Sequence, residues 1–230
     1  MYKTERTVYA SHCGFDRKIK LNEMMGFLND CEQYHLDKDK SVVDFFKKTG
    51  IGFYMVYRQA DFFRYPKFNE KLEVFTHIYE MNSVAGFRNT AICDIDGNFV
   101  AKSYAMGAFV ELKTQTLTRA DTKFWDGYMY DEKLDMEYTN RRVILPKGLS
   151  FEQCADMKVP RDYIDFYNHV NNAKYVNIAS EILPDNFNVG RLRIEYLRSA
   201  KRGDAIIAKI AESREDNCYY VVLENEVNVP

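Results

Sequence analysis

The sequence lacks the spacings that mark the common metal and disulfide sites. Its five cysteines are odd in number and scattered, and none forms a CxxC or CxxH motif. This pattern indicates reduced thiols in a cytosol rather than a disulfide framework or a zinc site. The histidines outside the motif described below are interpreted as structural (His12, His35 and His77). We therefore expect neither a metal nor another cofactor.

Long apolar runs and a charge excess are also missing. No apolar stretch approaches the length of a membrane span, and residues 1–6 contain no apolar signal core. The formal net charge of −2 argues against a general nucleic-acid binder. These absences predict a soluble cytoplasmic protein. A length of 230 residues is enough for one large domain or two small ones.

The most informative segment places an acid four residues before a histidine, at the entrance of a helix. Asp165 and His169 are followed by Asn171 and Asn172. Apolar residues then recur at the spacing of one helical face until Pro184 (Tyr175, Ile178, Ala179 and Ile182). The free N–H groups of a helix N-terminus can stabilise a developing negative charge. An acid, a base and such a helix end are the parts needed for acyl transfer, although ordinary helix capping would give the same local pattern.

Each polar residue of this segment has a candidate role in thioester hydrolysis. Asp165 is a general base or a nucleophile, and His169 relays protons or orients the water. Asn168 and Asn171 are candidate donors to the oxyanion, with Asn171 equally able to be a simple helix cap.

Two further candidates lie on the strand expected near this helix end. They are Glu195 and Ser199. Glu195 is the weaker candidate, because it could instead be a surface partner of Arg193 or Arg198.

The sequence contains an internal repeat. Alignment of Asp16 with Asp165 places Lys20 opposite His169, and both points lead into amphipathic helices. Short strand-like segments precede them at residues 7–14 and 157–164. Four strands are predicted after the first helix (51–63, 72–80, 85–95 and 99–112) and three after the second (191–198, 204–212 and 218–227). A single helix among so many strands can bury its apolar stripe only across the sheet.

These patterns give two α+β domains joined by a linker. Residues 1–119 form the first repeat, 120–155 the linker, with a short helix and an extended crossover, and 156–230 the second repeat. Because Lys20 replaces the histidine, the first repeat is expected to have lost its chemistry, unless Asp16 and Lys20 are simply a surface salt bridge. By this count the second sheet is one strand short, so we expect residues 142–145 to cover its last strand or the chain to continue beyond Pro230.

The pattern Asp-x-x-x-His-Val-Asn-Asn-x-x-Tyr resembles the signature of hotdog-fold thioesterases, and the tandem organisation resembles the acyl-acyl-carrier-protein (acyl-ACP) thioesterases of plants and bacteria. The resemblance implies two tandem hotdog domains, each an antiparallel sheet wrapped around a central helix, and carries active-site roles to Asp165 and His169. The family asparagine two residues before the histidine is Tyr167 here, and the nearest amide is Asn168. The Glu-Cys pair of plant members reads Ser199-Ala200, so no cysteine nucleophile is available there.

The implied function is hydrolysis of fatty acyl-ACP, which releases the free fatty acid and ends chain elongation. The first repeat would bind the acyl chain and the second would be catalytic. An acyl-CoA thioesterase is one alternative. A non-catalytic acyl-binding hotdog protein is another, and the departures at Tyr167 and Ser199 favour it.

A basic strip suggests the partner. Five basic residues lie close together in the sequence, opposed only by Glu195 (Arg191, Arg193, Arg198, Lys201 and Arg202). Such a strip suits a small acidic protein or a coenzyme A phosphate, although a solvated strand face would look the same. The family resemblance favours acyl carrier protein. The sequence leaves the oligomeric state open, a homodimer included.

Overall fold

The computed structural model describes residues 1–226, and these residues form two compact units. Unit 1 contains residues 1–20, 26–143 and 189–196, and unit 2 contains residues 21–25, 144–188 and those from 197 onward. The helices are α1 (Leu21–Lys38), α2 (Lys40–Thr49) and α3 (Asn172–Glu181). The strands are β1 (Tyr2–Thr7), β2 (Ile51–Phe62), β3 (Lys71–Met81), β4 (Ala85–Asp94), β5 (Phe99–Glu111), β6 (Thr116–Leu117), β7 (Glu152–Lys158), β8 (Arg191–Glu195), β9 (Ala205–Ser213) and β10 (Cys218–Glu226). No helix among residues 1–226 is long and apolar enough to cross a membrane.

Unit 1 is built on an antiparallel sheet in the order β1-β3-β4-β5-β2-β8, with β6 paired to β5. The four strands predicted after the first helix are confirmed as β2 to β5, with ends that differ by one residue at most. The turn between β4 and β5 is stabilised by Asp94, whose Oδ1 accepts the N–H groups of Asp96 and Asn98, and by Gly97 at a φ of 84°.

Helix α2 was not predicted. Asp39 caps it by accepting the N–H groups of Ser41 and Val42. Its apolar side places the ring of Phe45 4.6 Å from that of Trp125, within a buried aromatic cluster. The signal was available in the sequence, because Val42, Phe45 and Phe46 recur at the spacing of one helical face after Asp39, a residue type that caps helices.

The strands that open each repeat lie about five residues earlier than predicted. Only residue 7 of the predicted segment 7–14 and residues 157–158 of the predicted segment 157–164 lie in strands. The rest of each segment contains a single turn of 3-10 helix, at Ala10–His12 and Arg161–Tyr163. In the first turn, His12 Nδ1 accepts the N–H of Tyr9, which ends the extended chain. In the second, Pro160 stands directly before the turn and has no N–H to donate to a sheet.

Unit 2 contains α3 and an antiparallel sheet in the order β10-β9-β7. A buried apolar cluster holds helix, turns and sheet together (Val159, Val170, Ile178, Ala200, Ile206 and Ala208). The helix predicted from the apolar spacing after Asn172 is confirmed as α3.

Strand β8 has a different partner from the one predicted. Residues 191–198 were expected in the second meander, but β8 pairs with β2 and belongs to unit 1. In this pairing Gln59 faces Arg193, with Asp61 facing Arg191 on one side and Tyr57 facing Glu195 on the other. Sequence periodicity does not reveal a strand's neighbour, so this error could not be avoided.

The linker lies on unit 1 as far as Val143. It begins with a 3-10 turn, Thr122–Trp125, and continues without regular structure to β7. Two fully buried amides bind it: Asn89 Oδ1 accepts the N–H of Leu134 at 3.1 Å, and Gln59 Nε2 donates to the carbonyl of Glu137 at 2.8 Å. The expectation that residues 142–145 cover the last strand is wrong, because among the described residues β10 pairs with β9 alone. Residue 227 of the predicted strand 218–227, and the expectation concerning the chain beyond Pro230, lie outside the described residues.

We expect native-state hydrogen exchange to distinguish β10 from β4. In β4 both edges are paired, with β3 and β5, so all its amides should be protected. In β10 only the amides that face β9 should be protected, and those between them should exchange quickly. Uniform slow exchange along β10 would show that a further strand covers its outer edge.

Candidate active site

The candidate site is the turn that connects β7 to α3. A bridge between Ile164 and Val170 closes it. The N–H of Asp165 donates to the carbonyl of His169 at 2.9 Å, and the N–H of Asn168 donates to the carbonyl of Asp165 at 3.0 Å. Asn168 sits at the tip with a φ of 63°, a left-handed conformation that asparagine tolerates better than most residues. The backbone therefore fixes the acid and the histidine in one closed turn.

The Asp165 side chain is part of the same turn. Its Oδ1 accepts the N–H of Tyr167 at 2.9 Å and the N–H of His169 at 3.3 Å. The carboxylate is partly buried, and His169 is only 8% exposed. The turn therefore places the acid and the histidine in one partly buried segment, and the exposed side chains of Phe166 and Tyr167 leave this segment at the surface.

Asn171 is the N-cap of α3. Its Oδ1 accepts the N–H of Ala173 at 2.9 Å, so this oxygen serves the helix and only its Nδ2 could donate to a ligand. Asn168 is exposed at the tip of the turn. The start of α3 adds the partial positive charge of a helix N-terminus next to the acid and the histidine.

A second loop is bonded to the turn. The N–H of Val170, the residue after His169, donates to the carbonyl of Ala200 at 3.0 Å. The N–H of Ala200 donates to the hydroxyl of Tyr175 at 2.8 Å. Ser199 is exposed on this loop, so the turn and the loop bring it into the same unit as Asp165 and His169.

Tyr175 is a residue whose role the sequence did not reveal. The sequence analysis places it on the apolar face of α3 and at the end of the motif, without a role, but its hydroxyl fixes the Ala200 peptide, and burial raises the pKa of its phenol. The signal was available, since a tyrosine closes the motif four residues after Asn171.

Glu195 belongs to unit 1, whereas the other candidates belong to unit 2. Its Oε1 accepts the N–H of Val143 at 3.0 Å, so its partner is the linker backbone and not the predicted Arg193 or Arg198. Arg193 donates instead to the Tyr57 hydroxyl and to linker carbonyls.

The basic strip is divided between the two units. Arg191 is bound by Asp61, at 2.6 and 3.0 Å, and by Glu137 at 2.8 Å, and these contacts raise the pKa of its guanidinium. Arg191 and Arg193 therefore serve unit 1. The other three basic residues are exposed on the β8–β9 loop of unit 2 (Arg198, Lys201 and Arg202).

The first repeat contains the same turn, in a different register from the predicted one. The N–H of Gly14 donates to the carbonyl of Lys18 at 2.9 Å, the N–H of Arg17 donates to the carbonyl of Gly14 at 3.0 Å, and Arg17 has a φ of 62°. These bonds repeat those of Asp165, His169 and Asn168.

The counterparts of Asp165, Tyr167 and His169 are therefore Gly14, Asp16 and Lys18, and the alignment of Asp16 with Asp165 and of Lys20 with His169 is wrong by two residues. The first turn therefore has no acid at the position of Asp165 and no imidazole at the position of His169. Asp16 Oδ1 accepts the N–H of Lys18, and its side chain pairs with the Lys18 ammonium at 3.7 Å rather than with Lys20.

The loop of the first repeat follows the same plan. The N–H of Ile19 donates to the carbonyl of Pro66, as Val170 does to Ala200, so Tyr65 stands where the second repeat has Ser199. The Tyr65 hydroxyl donates to the carbonyl of Val189 at 2.9 Å.

Comparison with known proteins agrees with this two-part organisation. The family model for the acyl-ACP thioesterase N-terminal domain matches residues 1–128, and the model for the acyl-ACP thioesterase C-terminal domain matches residues 149–228. Comparison with curated protein sequences gave no match.

Two solved structures share the fold at low sequence identity. An acyl-ACP thioesterase from Bacteroides thetaiotaomicron is 17% identical, with a TM-score of 0.83 over 97% of this chain and 91% of that one. The 12:0-ACP thioesterase from Umbellularia californica is 15% identical, with a TM-score of 0.80 over 97% of this chain and 92% of that one.

The two family models together span nearly all of the sequence, and both repeats show the same strand, turn and helix plan. The chain therefore belongs to the acyl-ACP thioesterase family, tandem hotdog thioester hydrolases that act on acyl-ACP.

Proposed function

We propose that the second repeat carries out the hydrolysis, with Asp165 and His169 as the reacting pair, and that the first repeat binds the acyl chain. One observation carries this assignment: the same backbone turn occurs twice, and only the second copy bears an imidazole together with an acid at the first position of the turn. Gly14 and Lys18 at the matching positions of the first copy can supply neither group.

The reaction adds water across the thioester C–S bond. Asp165 takes a proton from the attacking water, and the water oxygen bonds to the carbonyl carbon. The resulting oxyanion is stabilised by the N-terminal end of α3 and by the Nδ2 groups of Asn168 and Asn171. When the C–S bond breaks, His169 relays the proton from Asp165 to the leaving thiolate, which yields the fatty acid and the free thiol of the carrier and restores both residues.

Because of the departures from the family pattern, Asp165 is the carboxylate that serves this site. Ser199 stands where plant members have glutamate, and Glu195 is bound to the linker in unit 1. Ser199 can donate or accept a hydrogen bond but cannot serve as a base at neutral pH. Its role is to hold the water or the carbonyl in place.

The carrier protein docks on the β8–β9 loop through Arg198, Lys201 and Arg202. These side chains are exposed and adjoin Ala200, whose carbonyl is bonded to the turn that bears His169. A basic surface next to the site suits an acidic carrier that must deliver a thioester. We place the reaction in the cytoplasm, since all five cysteines are free thiols.

Asp165→Asn and His169→Ala should each lower kcat by about a hundredfold or more, the usual effect of losing an acid–base group. The measurement is thiol release from medium- and long-chain acyl-ACP by the purified protein. If the wild-type protein releases no thiol at any chain length, the proposed hydrolysis itself is refuted.

Matched controls exist in the first repeat. Asp16→Asn and Lys18→Ala change the corresponding turn, which shares the backbone bonds but lacks the chemistry. They should keep nearly full kcat. A loss at Lys18 as large as that at His169 would mean that the chemistry does not belong to the second repeat alone.

Combined replacement of Arg198, Lys201 and Arg202 by alanine should raise KM for acyl-ACP about tenfold or more while kcat changes little, because the charges act before chemistry. The loss should shrink as salt is added, since exposed charges are screened. Kinetics on one acyl-ACP at several salt concentrations measure this.

The charge-matched control replaces three exposed basic residues of unit 1 (Lys67, Lys71 and Lys113). If this variant loses as much affinity as the loop variant, the effect comes from net charge and the docking assignment is wrong. An acyl-CoA substrate, which lacks the protein carrier and offers only its own phosphates to the loop, should be affected less by the loop variant than acyl-ACP is.

Tyr175→Phe removes the hydroxyl that accepts the Ala200 N–H. We expect a loss of about 1 kcal/mol in unfolding free energy and a several-fold fall in kcat, because the loop that bears Ser199 loses one of its two bonds to the site. Tyr163→Phe is the control, since it removes a hydroxyl bonded to Asn177 in the same unit. Denaturant unfolding and kcat, measured together, test it: equal kcat losses in the two variants would contradict a positioning role for Tyr175.

A further inference from the structure

A charged cluster interrupts the apolar interior of unit 1. Arg58 on β2 is 0% exposed and Glu32 on α1 is 4% exposed. Arg58 Nη2 donates to Glu32 Oε2, and the hydroxyl of Thr90 donates to Glu32 Oε1 at 2.6 Å. The hydroxyls of Thr76 and Thr90 are bonded to each other at 2.9 Å. Both oxygens of the carboxylate are thus engaged.

The guanidinium of Arg58 is not satisfied in the same way. It carries five N–H donors, and one of its nitrogens binds Glu32. The other two nitrogens, Nε and Nη1, are buried and have no hydrogen-bond partner among residues 1–226. Buried donors without partners are rare in native proteins, because they have lost their bonds to water and gained nothing in return.

The surrounding charge makes an electron-rich partner favourable. A second buried guanidinium, that of Arg88, is close enough to be affected by both members of the pair: burial lowers its pKa, Glu32 raises it and Arg58 lowers it. Glu32 therefore faces two cations, and Arg88 itself contacts His35 Nδ1 at 3.3 Å. An oxygen with a lone pair would be attracted to this place, and an alkyl group would not.

Neither stability nor the fold explains the pair. A buried ion pair contributes little net stability, and well-packed apolar residues often do as well. The second repeat allows a comparison at the same strand position. The hydrogen bonds of the two loops align Pro66 with Ala200, and this alignment makes Leu192 the counterpart of Arg58. The same strand position accepts an apolar residue in the second repeat.

We propose that Arg58 Nε and Nη1 bind an oxygen atom carried on the acyl chain, so that the protein prefers hydroxy- or oxo-acyl groups to saturated ones of equal length. This rests on the proposed function, in which the first repeat binds the acyl chain. Arg58 is the specificity-determining residue, and Glu32 is the positioning residue that orients its guanidinium. A saturated chain leaves the two donors unsatisfied, and a hydroxyl or keto oxygen accepts from them.

The test is a series of acyl-ACP substrates of one chain length, saturated or with a single hydroxyl or keto group moved along the chain. The wild type should hydrolyse at least one oxygenated member with kcat/KM about tenfold or more above the saturated one, since a site built to bond an oxygen rejects analogues without it. A saturated substrate that matches or exceeds every oxygenated member would overturn the proposal. Failure on all substrates would instead refute the proposed function.

Two variants locate the preference. In Glu32→Gln combined with Arg58→Met the charges leave together, and in Arg58→Lys the charge remains but the Nε and Nη1 donors are lost. Both variants should abolish the preference for the oxygenated substrate while hydrolysis of the saturated substrate continues. If the double variant does not fold, Arg58→Lys alone tests the assignment. Asp61→Asn combined with Arg191→Gln removes another ion pair of β2 and should keep the preference. A preference that survives Arg58→Lys would contradict the assignment.

Discussion

One backbone hydrogen bond in each repeat decides which residues can act together. The N–H of Val170 reaches the carbonyl of Ala200, and the N–H of Ile19 reaches that of Pro66. This bond joins the turn before the helix to the loop between two strands, although the two segments are far apart in sequence. Because it involves only backbone atoms, the side chains on either side of it are free to differ between the repeats.

The differences follow from that freedom. In the second repeat the turn carries an acid and an imidazole, and the loop carries a small hydroxyl residue. In the first repeat the same three places hold Gly14, Lys18 and Tyr65, and the polar interior lies instead between α1 and the sheet. The repeats thus share a backbone plan, and each uses a different part of it for polar side chains.

Much of this could be predicted from the sequence. The strands β2 to β5 have strong alternation and clear turn residues, and α3 has a cap, an apolar face and a closing proline, so local pattern was sufficient. The pairing of Asp165 with His169 in one turn also follows from their spacing.

The remaining features depend on contacts distant in sequence. The partner of β8 is chosen by side chains of β2 such as Asp61, which no local pattern identifies. The alignment of the two turns was misplaced because Asp16 resembles Asp165 in type, whereas the backbone bonds align Asp16 with Tyr167. The Arg58–Glu32 pair was not predicted because nothing in the sequence of β2 shows that its arginine points inward.

The pairing of β2 with β8 has a consequence for how a fused chain can change. The alignment of the two loops makes Gln59 of β2 and Arg193 of β8 equivalent positions of the two repeats. These two residues face each other at the centre of the β2–β8 pairing. Two identical strands related by a two-fold axis would adopt this register, and every facing pair would then occur twice. Here Asp61 faces Arg191 in an ion pair, while Glu195, the counterpart of Asp61, faces Tyr57 and binds the linker. In a symmetric dimer every substitution occurs on both strands. In a single chain the two strands are encoded separately, so a substitution on one strand is not copied onto the other.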